Sequence, residues 1–256
     1  MKLRITSIQN LIVFLKRLKQ VDRNVVLEIT SEKIFCKVHT PDKSVMKYSA
    51  LDFGDVFESD FDWTSIKNDR VKIGLTDVGR LMDSFKHFRP EEEVHLELNV
   101  EKVDSDSVAT ELRLISPSLN IKLRCANLDL LSYVEDKILE IVHSRVEERA
   151  NFKLYQSDFT TVLSLCGLDT NSEEILTFEV NEKTAHVIGD SFNYKLNIGT
   201  TEIMLDESEK SVSAGIYKNR LSNMEPELCE VYVHSNRVVM FSEQSDTAIA
   251  IGLVEK

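Results

Sequence analysis

Residues 2–30 read KLRITSIQNLIVFLKRLKQVDRNVVLEIT, and three patterns follow one another in this stretch. Lys2–Ile5 alternates polar and apolar residues, which is typical of a short strand. Apolar residues then recur at the three- and four-residue spacing of an amphipathic helix, and a β-branched run follows. Thr6 or Ser7 can cap this helix, because a side-chain oxygen there accepts a hydrogen bond from a free backbone N–H group. The stretch therefore predicts a strand, a helix to about Val21 and a second strand.

This order of patterns occurs four times along the chain. Each repeat has a short strand, a polar cap, an amphipathic helix and two or three further strands. Thr76 and Ser157 are the expected caps of the second and third helices, and Gly167 is expected to end the third. The first strands are expected at 2–5, 71–75, 151–155 and 212–216, and the helices at 6–21, 76–88, 157–167 and 217–224. The later strands are expected at 24–30, 33–40, 44–53, 94–102, 109–116, 118–126, 174–180, 184–188, 191–198, 228–234, 238–244 and 247–254.

The four repeats group into two pairs. Acidic loops join the first repeat to the second and the third to the fourth, at 52–69 and 200–210, whereas 127–150 fits no repeat. We therefore predict an N-terminal domain at 1–126, an interdomain connector at 127–150 and a C-terminal domain at 151–256. The expected fold class is α+β, with two similar domains that each combine antiparallel sheet with two helices.

Charge is distributed unevenly along this acidic chain. Lys and Arg number 31 against 43 Asp and Glu, for a net charge of −12. Such an excess usually argues against a nucleic-acid partner, because the phosphate backbone requires cations. The predicted helices, however, carry a net positive charge, and their cations lie opposite the apolar stripes. An outward basic layer on an otherwise acidic body is a directed electrostatic feature.

No motif in the sequence predicts an enzyme. The four cysteines are too far apart for a C-x-x-C site, the six histidines form no metal motif, and glycine-rich phosphate loops are absent. Two D-x-D pairs, Asp60 with Asp62 and Asp104 with Asp106, leave most of a metal's coordination shell empty. We therefore expect no catalytic residue, no metal and no cofactor. The sequence has no apolar stretch long enough to span a membrane and no secretory signal, so we expect a cytoplasmic protein.

The C-terminal repeat resembles the DNA sliding-clamp family, specifically the clamps of T-even-type bacteriophages. Residues 220–227, RLSNMEPE, lead into LCEVYVHSNRVVMFSEQSDTAIAIGLVEK, which is similar to the short helix, turn and closing strands of those clamps. The opening MKLRITSIQNLIVFLKRL is similar to their first strand and DNA-facing helix. The resemblance covers essentially the whole chain as an architecture, although residue identity is low.

This resemblance implies a binding protein without chemistry of its own. Its protomers join head to tail into a closed ring, which is a homotrimer when each protomer has two domains. Helices line the hole and sheets form the outer wall. The ring tethers the replicative DNA polymerase to duplex DNA, and an ATP-driven clamp loader places it there. A phage clamp would act in the cytoplasm of the infected bacterium.

The resemblance also assigns residues to sites. The DNA-facing residues would be Lys16, Arg17, Lys19, Gln20, Arg80, Lys86, His87, Lys218 and Arg220. A hydrophobic partner peptide would bind beside the connector, at Leu128, Leu130, Leu131, Tyr133, Leu253 and Val254. The subunit interface would use edge strands at 109–116 and 191–198, with Leu112, Leu114, Tyr194 and Leu196. The third helix departs from the family because it has no cation and offers only Gln156, Thr160, Thr161 and Ser164.

Three alternatives remain open from the sequence. An acidic, β-rich structural or assembly protein, such as a virion component, would show no dependence on DNA. A hydrolase with a dispersed site could use Asp60, Asp62 and His39, and its activity would depend on metal. A subunit of a hetero-oligomeric ring would keep the clamp fold, and the sequence does not separate it from a homotrimer.

Overall fold

The computed structural model describes residues 1–131, 134, 148–167, 174–189, 194–198 and 202–254. The chain divides into two compact units. The first unit contains Met1–Pro41 and Tyr48–Val134, and the second contains Asp42–Lys47 and Glu135–Lys256. Most of the predicted connector lies outside the described residues, so that boundary stays a prediction. Its last three residues belong to a strand that begins at Glu148.

The first unit repeats the strand–helix–strands order twice. Its elements are β1 (Lys2–Ile5), α1 (Ile8–Lys19), β2 (Val25–Thr30), β3 (Lys33–His39), β4 (Val45–Asp52), β5 (Phe57–Glu58), β6 (Arg70–Leu75), α2 (Val78–Phe85), β7 (Val94–Val103), β8 (Asp106–Ile115) and β9 (Asn120–Arg124). The strands lie in the order β4-β3-β2-β6-β8-β7-β1-β5, and β9 pairs with β8. The two halves meet where β6 runs parallel to β8, with Val71 opposite Ser107.

The helices of the first unit cover one face of its sheet. Leu11, Phe14, Leu15 and Leu18 of α1 are buried, and so is Phe85 of α2. These side chains join the apolar residues of the strands in one core cluster. Burial of this helical stripe supplies the main driving force for docking, at about 1.5–3 kcal/mol for each large apolar side chain.

Side chains at the two helix starts determine where these helices begin. Ser7 Oγ accepts a hydrogen bond from the Asn10 N–H over 3.2 Å, which confirms a polar cap for α1. The cap of α2 is Asp77 and not Thr76, because Asp77 Oδ1 accepts from the Gly79 N–H over 2.8 Å. The negative charge of an aspartate at this position also interacts favourably with the positive end of the helix dipole.

The second unit has the same repeated order. Its elements are β10 (Glu148–Leu154), α3 (Gln156–Cys166), β11 (Ile175–Asn181), β12 (Ala185–Gly189), β13 (Tyr194–Ile198), β14 (Ile203–Leu205), β15 (Ser211–Tyr217), α4 (Lys218–Leu221), β16 (Cys229–His234), β17 (Arg237–Ser242) and β18 (Thr247–Gly252). One run of strands has the order β14-β10-β16-β17-β18, and a separate sheet has the order β13-β12-β11-β15. Phe152, Phe159 and Phe178 lie in its core.

The sequence predicts the end of α3 correctly, but it does not predict the start of α3 or two very short strands. Gly167 ends α3 as expected, and its N–H donates to Leu163 O over 3.1 Å. Ser157 lies inside α3, and the cap residue is Tyr155, whose side chain makes no capping bond. The strands β5 and β14 fall in the predicted acidic loops, because two or three residues are too few to show an alternating pattern. No helix in the described ranges is long and apolar enough to cross a membrane.

Candidate nucleic-acid interface

The last two turns of α1 present cations on the face opposite the core. Lys16 and Lys19 are exposed, whereas Arg17 and Gln20 are half-buried. Leu18 lies between Arg17 and Lys19 in sequence and is fully buried, so the face of α1 that carries Leu18 packs on the sheet. The predicted outward position of the Lys16 and Lys19 side chains therefore agrees with the structure.

Basic residues of α2 and of the turn that follows it lie in the same neighbourhood. Arg80, Lys86 and His87 are exposed. Lys86 Nζ donates to Asp83 Oδ1 over 2.6 Å. This hydrogen bond and the charge of Lys86 lower the pKa of the Asp83 carboxyl, and the charges of Lys19 and His87 lower it further. The charge of Lys19 at the end of α1 therefore reaches a carboxylate of α2.

The side chain of Lys19, at the end of α1, closely approaches Gly79 at the start of α2. A Cβ atom on Gly79 would lie 3.2 Å from Lys19 Nζ and 2.9 Å from Asp77 Oδ1. The absence of a side chain at Gly79 lets the Lys19 side chain lie across the start of α2, near the Asp77 carboxylate that caps this helix. Lys19 of α1 therefore reaches the start of α2, where the exposed Arg80 follows Gly79 in the chain.

Lys218 was predicted to face DNA, and this prediction is wrong. Its side chain is 7% exposed, and Lys218 Nζ lies 3.4 Å from Glu174 Oε2. Lys218 Nζ also donates to Cys166 O at the end of α3 over 3.3 Å. The helix α4 has only four residues, so the first of them continues the direction of the preceding strand and points inward. A helical pattern read from the sequence cannot show this.

Arg220 and the exposed side of α3 complete the helical face of the second unit. Arg220 is half-buried and pairs with the carboxylate of Asp42. The hydroxyl groups of Thr160, Thr161 and Ser164 donate to carbonyl oxygens of their own helix over 2.8, 2.8 and 2.9 Å. Gln156 is exposed and uncharged. The described helical face of this unit is therefore polar, and Lys218 and Arg220 are paired with the acidic side chains of Glu174 and Asp42.

The edge of the first unit is not the strand expected from the sequence. Strand β8 lies between β7 and β9, with Leu112 opposite both Leu98 and Leu123. Leu112 and Leu114 are 1% and 0% exposed, so they belong to the core and not to an edge. The edge prediction at 109–116 is wrong because a third strand, β9, adds to the sheet beyond β8.

The edge of the second unit agrees with the prediction. Strand β13 ends its sheet and pairs with β12, with Tyr194 opposite Gly189. Tyr194 and Leu196 are half-buried and pack against the core. A Cβ atom on Gly189 would lie 2.4 Å from the ring of Tyr194, so this glycine sets the position of the ring. Among the described residues no strand pairs with the outer side of β13, and an unpaired edge can accept a further strand.

The strand β9 adds basic residues that the sequence analysis did not assign to a site. Lys122 and Arg124 are exposed, while Ile121 and Leu123 pack against the core. Lys122 pairs with Glu111, and no ion pair of Arg124 is found in the described part of the chain. Lys122 and Arg124 line a cavity of about 440 Å³ together with Arg80. The alternation in residues 120–124 is the signal that indicates these outward positions.

The predicted peptide-binding residues are described in two groups. In the first unit, Leu128 and Leu131 lie beside Gly74, where a Cβ atom would be 3.2 and 3.0 Å from them. Leu130 is 81% exposed. In the second unit Leu253 and Val254 are half-buried. Tyr133 lies outside the described residues. A pocket that combines the two groups stays a prediction.

The residues of the alternative hydrolase site have local structural roles. Asp62 Oδ1 accepts hydrogen bonds from the Thr64 N–H and hydroxyl over 3.0 and 2.7 Å, and these bonds lower the pKa of Asp62. His39 Nδ1 lies 2.7 Å from Thr40 O. Among the described residues, no group of three or more His, Cys, Asp or Glu is placed to hold a metal ion.

The four cysteines are free thiols with little nucleophilic character. Burial raises the pKa of Cys36, and it raises the pKa of Cys125 to about 11 and that of Cys229 to about 12. Burial also raises the pKa of Cys166. A raised pKa keeps a thiol protonated at neutral pH, and the protonated form is a poor nucleophile.

Comparison with solved structures identifies the fold. The chain is similar to proliferating cellular nuclear antigen (PCNA) from Entamoeba histolytica, with a TM-score of 0.69 and 11% identity over 99% of this chain and 98% of that one. It is similar to the PCNA2–PCNA3 complex of Sulfolobus tokodaii, with a TM-score of 0.67 and 11% identity over 99% of both chains. It is similar to A. fulgidus PCNA bound to the C-terminal region of FEN-1, with a TM-score of 0.68 and 11% identity over 100% of this chain and 99% of that one.

The comparisons establish a fold and not a family. No family model and no curated protein sequence matches the chain. The structural matches extend over nearly the full length, so the α+β fold of the PCNA clamps is shown for the whole chain. At about a tenth of residues identical, similarity of structure does not by itself transfer function.

Proposed function

We propose that this chain is a sliding clamp that encircles duplex DNA and holds the replicative DNA polymerase on it. One observation carries the proposal: a chain with the PCNA fold over its whole length exposes Lys16, Lys19 and Arg80 on its helical layer. A clamp carries out no chemistry, and the proposal therefore assigns no catalytic residue and no cofactor.

The charge distribution suits a protein that must slide. Lysine and arginine side chains attract the phosphate backbone without reading its sequence. Sequence readout would instead need bidentate contacts to base edges in a groove, which would hold the protein at one site. The acidic excess of the remaining chain repels DNA from the surface away from these helices. The combination favours contact through the helical layer alone.

The two edge strands favour a ring. A free edge presents unpaired N–H and C=O groups, and a second strand can satisfy them. We propose that β9 of one protomer pairs with β13 of the next, so that Ile121 and Leu123 approach Tyr194 and Leu196. A contact between two different surfaces is heterologous and closes into a ring when the rotation permits. With two domains in each protomer, the simplest ring is a homotrimer.

Partner binding is proposed at the segment after β9. The structure of A. fulgidus PCNA with the C-terminal region of FEN-1 is a case in which a similar protein binds a partner segment. Leu130 is exposed to solvent in this chain and lies between the half-buried Leu128 and Leu131 in sequence, and apolar patches on a surface often mark partner sites. We propose that a hydrophobic peptide of the polymerase binds there, with Leu128, Leu131, Tyr133, Leu253 and Val254. Loading by a clamp loader, a T-even-type phage origin and action in the bacterial cytoplasm belong to the same proposal.

A hetero-oligomeric ring is the second candidate. The similarity to the PCNA2–PCNA3 complex of Sulfolobus tokodaii favours it, because that structure contains two different PCNA chains. In this case β9 and β13 would pair with other chains, and the isolated protein would not form a ring.

Topological retention on DNA tests the proposed function. The protein would be crosslinked chemically in the presence of nicked circular plasmid, and the same plasmid would be linearised in a parallel sample. A clamp stays on the circle at high salt and slides off the linear form. Equal loss from both forms would contradict encirclement and would favour ordinary surface binding or the structural-protein alternative.

A further inference from the structure

We propose that the first unit alone makes the ionic contacts to DNA, through a phosphate-binding face formed by Lys16, Lys19, Arg80 and Arg124. This inference rests on the proposed sliding-clamp function and states where in the protomer the duplex is held. It differs from the sequence prediction, which also places Lys218 and Arg220 of the second unit on the DNA-facing surface.

The geometry of the first unit supports a continuous face. Lys16 and Lys19 are one turn apart on α1, and Lys19 lies across the start of α2 at Gly79. Arg80 follows Gly79 directly and shares a cavity wall with Arg124. All four cations are exposed, and within the described ranges none of them makes an ion pair. Their charge is therefore available to the phosphate backbone.

The described residues of the second unit form no equivalent face, for a structural reason. Lys218 is buried against Glu174, and Arg220 is paired with Asp42. An attraction to DNA would have to compete with these acids, and for Lys218 it would also require removal from a buried site. The exposed hydroxyls of Thr160, Thr161 and Ser164 already donate within α3. This surface can accept hydrogen bonds from water but adds no charge.

The consequence for a three-protomer ring is an alternating inner wall. Three cationic sectors, one from each first unit, would alternate with three sectors from the second units in which the described helical cations are paired with acids. The duplex would then be attracted at three positions and pass the intervening sectors through water. Because the phosphates follow a helical path, a duplex held at only three sectors can move from one set of contacts to the next as it slides.

The salt dependence of duplex binding tests this inference. Binding of a fluorescent 30-base-pair duplex would be measured by anisotropy over a series of KCl concentrations. The variants are Lys19→Gln and Arg80→Gln in the first unit, with Arg220→Gln in the second unit as the matched control. Each lost phosphate contact lowers the slope of log K against log salt by about 0.9. We expect this loss for Lys19→Gln and for Arg80→Gln, and an unchanged slope for Arg220→Gln.

Two results would overturn the inference, and they differ in what else they affect. A loss of slope with Arg220→Gln as large as that with Arg80→Gln would place ionic contact in both units and leave the clamp function standing. A wild-type ring that shows no salt-dependent duplex binding would remove the proposed function and this inference with it. Urea unfolding of each variant shows whether a lost slope reflects a lost contact or a lost fold.

Discussion

Lys218 Nζ lies 3.4 Å from Glu174 Oε2, and both side chains are almost completely buried. This ion pair connects the residue before β11 to the start of α4, and Lys218 also donates to the last carbonyl of α3. A cation that the sequence places on a DNA-facing helix is in fact part of the interior of the second unit. Its role in the molecule is structural.

Loss of one partner of this pair should destabilise the second unit. Lys218→Met leaves the Glu174 carboxylate buried without its cation, which costs about 3–5 kcal/mol. We expect a lower urea midpoint by circular dichroism and no change in the salt slope of duplex binding at low denaturant. The double variant Lys218→Met with Glu174→Gln removes both charges and should recover much of the loss. Equal midpoints for wild type and the single variant would contradict the structural role.

A proline in the outer edge of the second unit should prevent assembly. Lys195 lies on β13, and Lys195→Pro removes a backbone N–H from this strand. We expect the mass in solution to fall to that of a protomer. The matched control is Lys195→Ala, which removes the ion pair with Glu179 but keeps the backbone donor, and it should assemble normally. An unchanged oligomer mass for Lys195→Pro would exclude β13 from the interface.

Alanine substitutions at two glycines distinguish an effect on the packing of β13 from a general effect on protein stability. A Cβ atom on Gly189 would meet the Tyr194 ring at 2.4 Å, whereas nothing lies within 4 Å of a Cβ atom on Gly54. Gly189→Ala should displace Tyr194 and weaken assembly about tenfold in the concentration series, which corresponds to about 1.4 kcal/mol. Gly54→Ala should have no effect. The double variant Gly189→Ala with Tyr194→Ala should unfold at the same urea concentration as Tyr194→Ala alone, because the clash is then absent. A lower midpoint for the double variant would show that the glycine acts on the fold by another route.

Cys125 should alkylate slowly and only at high pH. Burial raises its pKa from 9.0 to about 11, so the thiol stays protonated through pH 9 in the folded protein. Because the folded state prefers the protonated form, this preference contributes to stability below pH 9 and is lost as the pH rises through about 11. The rate of iodoacetamide labelling at Cys125, followed by peptide mass spectrometry, should rise mainly above pH 10. Labelling at pH 8 as fast as in the unfolded chain would contradict this account.

The sequence predicted most of the fold because the fold depends on periodic patterns. The apolar stripe of α1 repeats over three turns, and the strands from β7 to β8 alternate over many residues. Such patterns follow from burial on one face and are visible without coordinates. The strands β5 and β14 were missed because their existence depends on pairing with β1 and β10.

The candidate site was less predictable because it depends on tertiary contacts. The exposure of Lys16 follows from its position opposite the α1 stripe, but the burial of Lys218 follows from the short length of α4 and the position of Glu174. The sequence analysis assigned the edge of the first unit to β8, whereas the structure adds β9 beyond it. The two strands alternate polar and apolar residues equally well, so the pattern does not distinguish them. The order of strands in space decides which one is free, and periodicity does not report that order.

The mass of the protein in solution tests the central claim most directly. Size-exclusion chromatography with multi-angle light scattering would be run over a dilution series of the pure protein. A homotrimeric ring predicts a mass of about three times 29.3 kDa, falling to 29.3 kDa on dilution. A mass of 29.3 kDa at every concentration would contradict an autonomous ring and would favour a hetero-oligomeric clamp or a structural protein with the same fold.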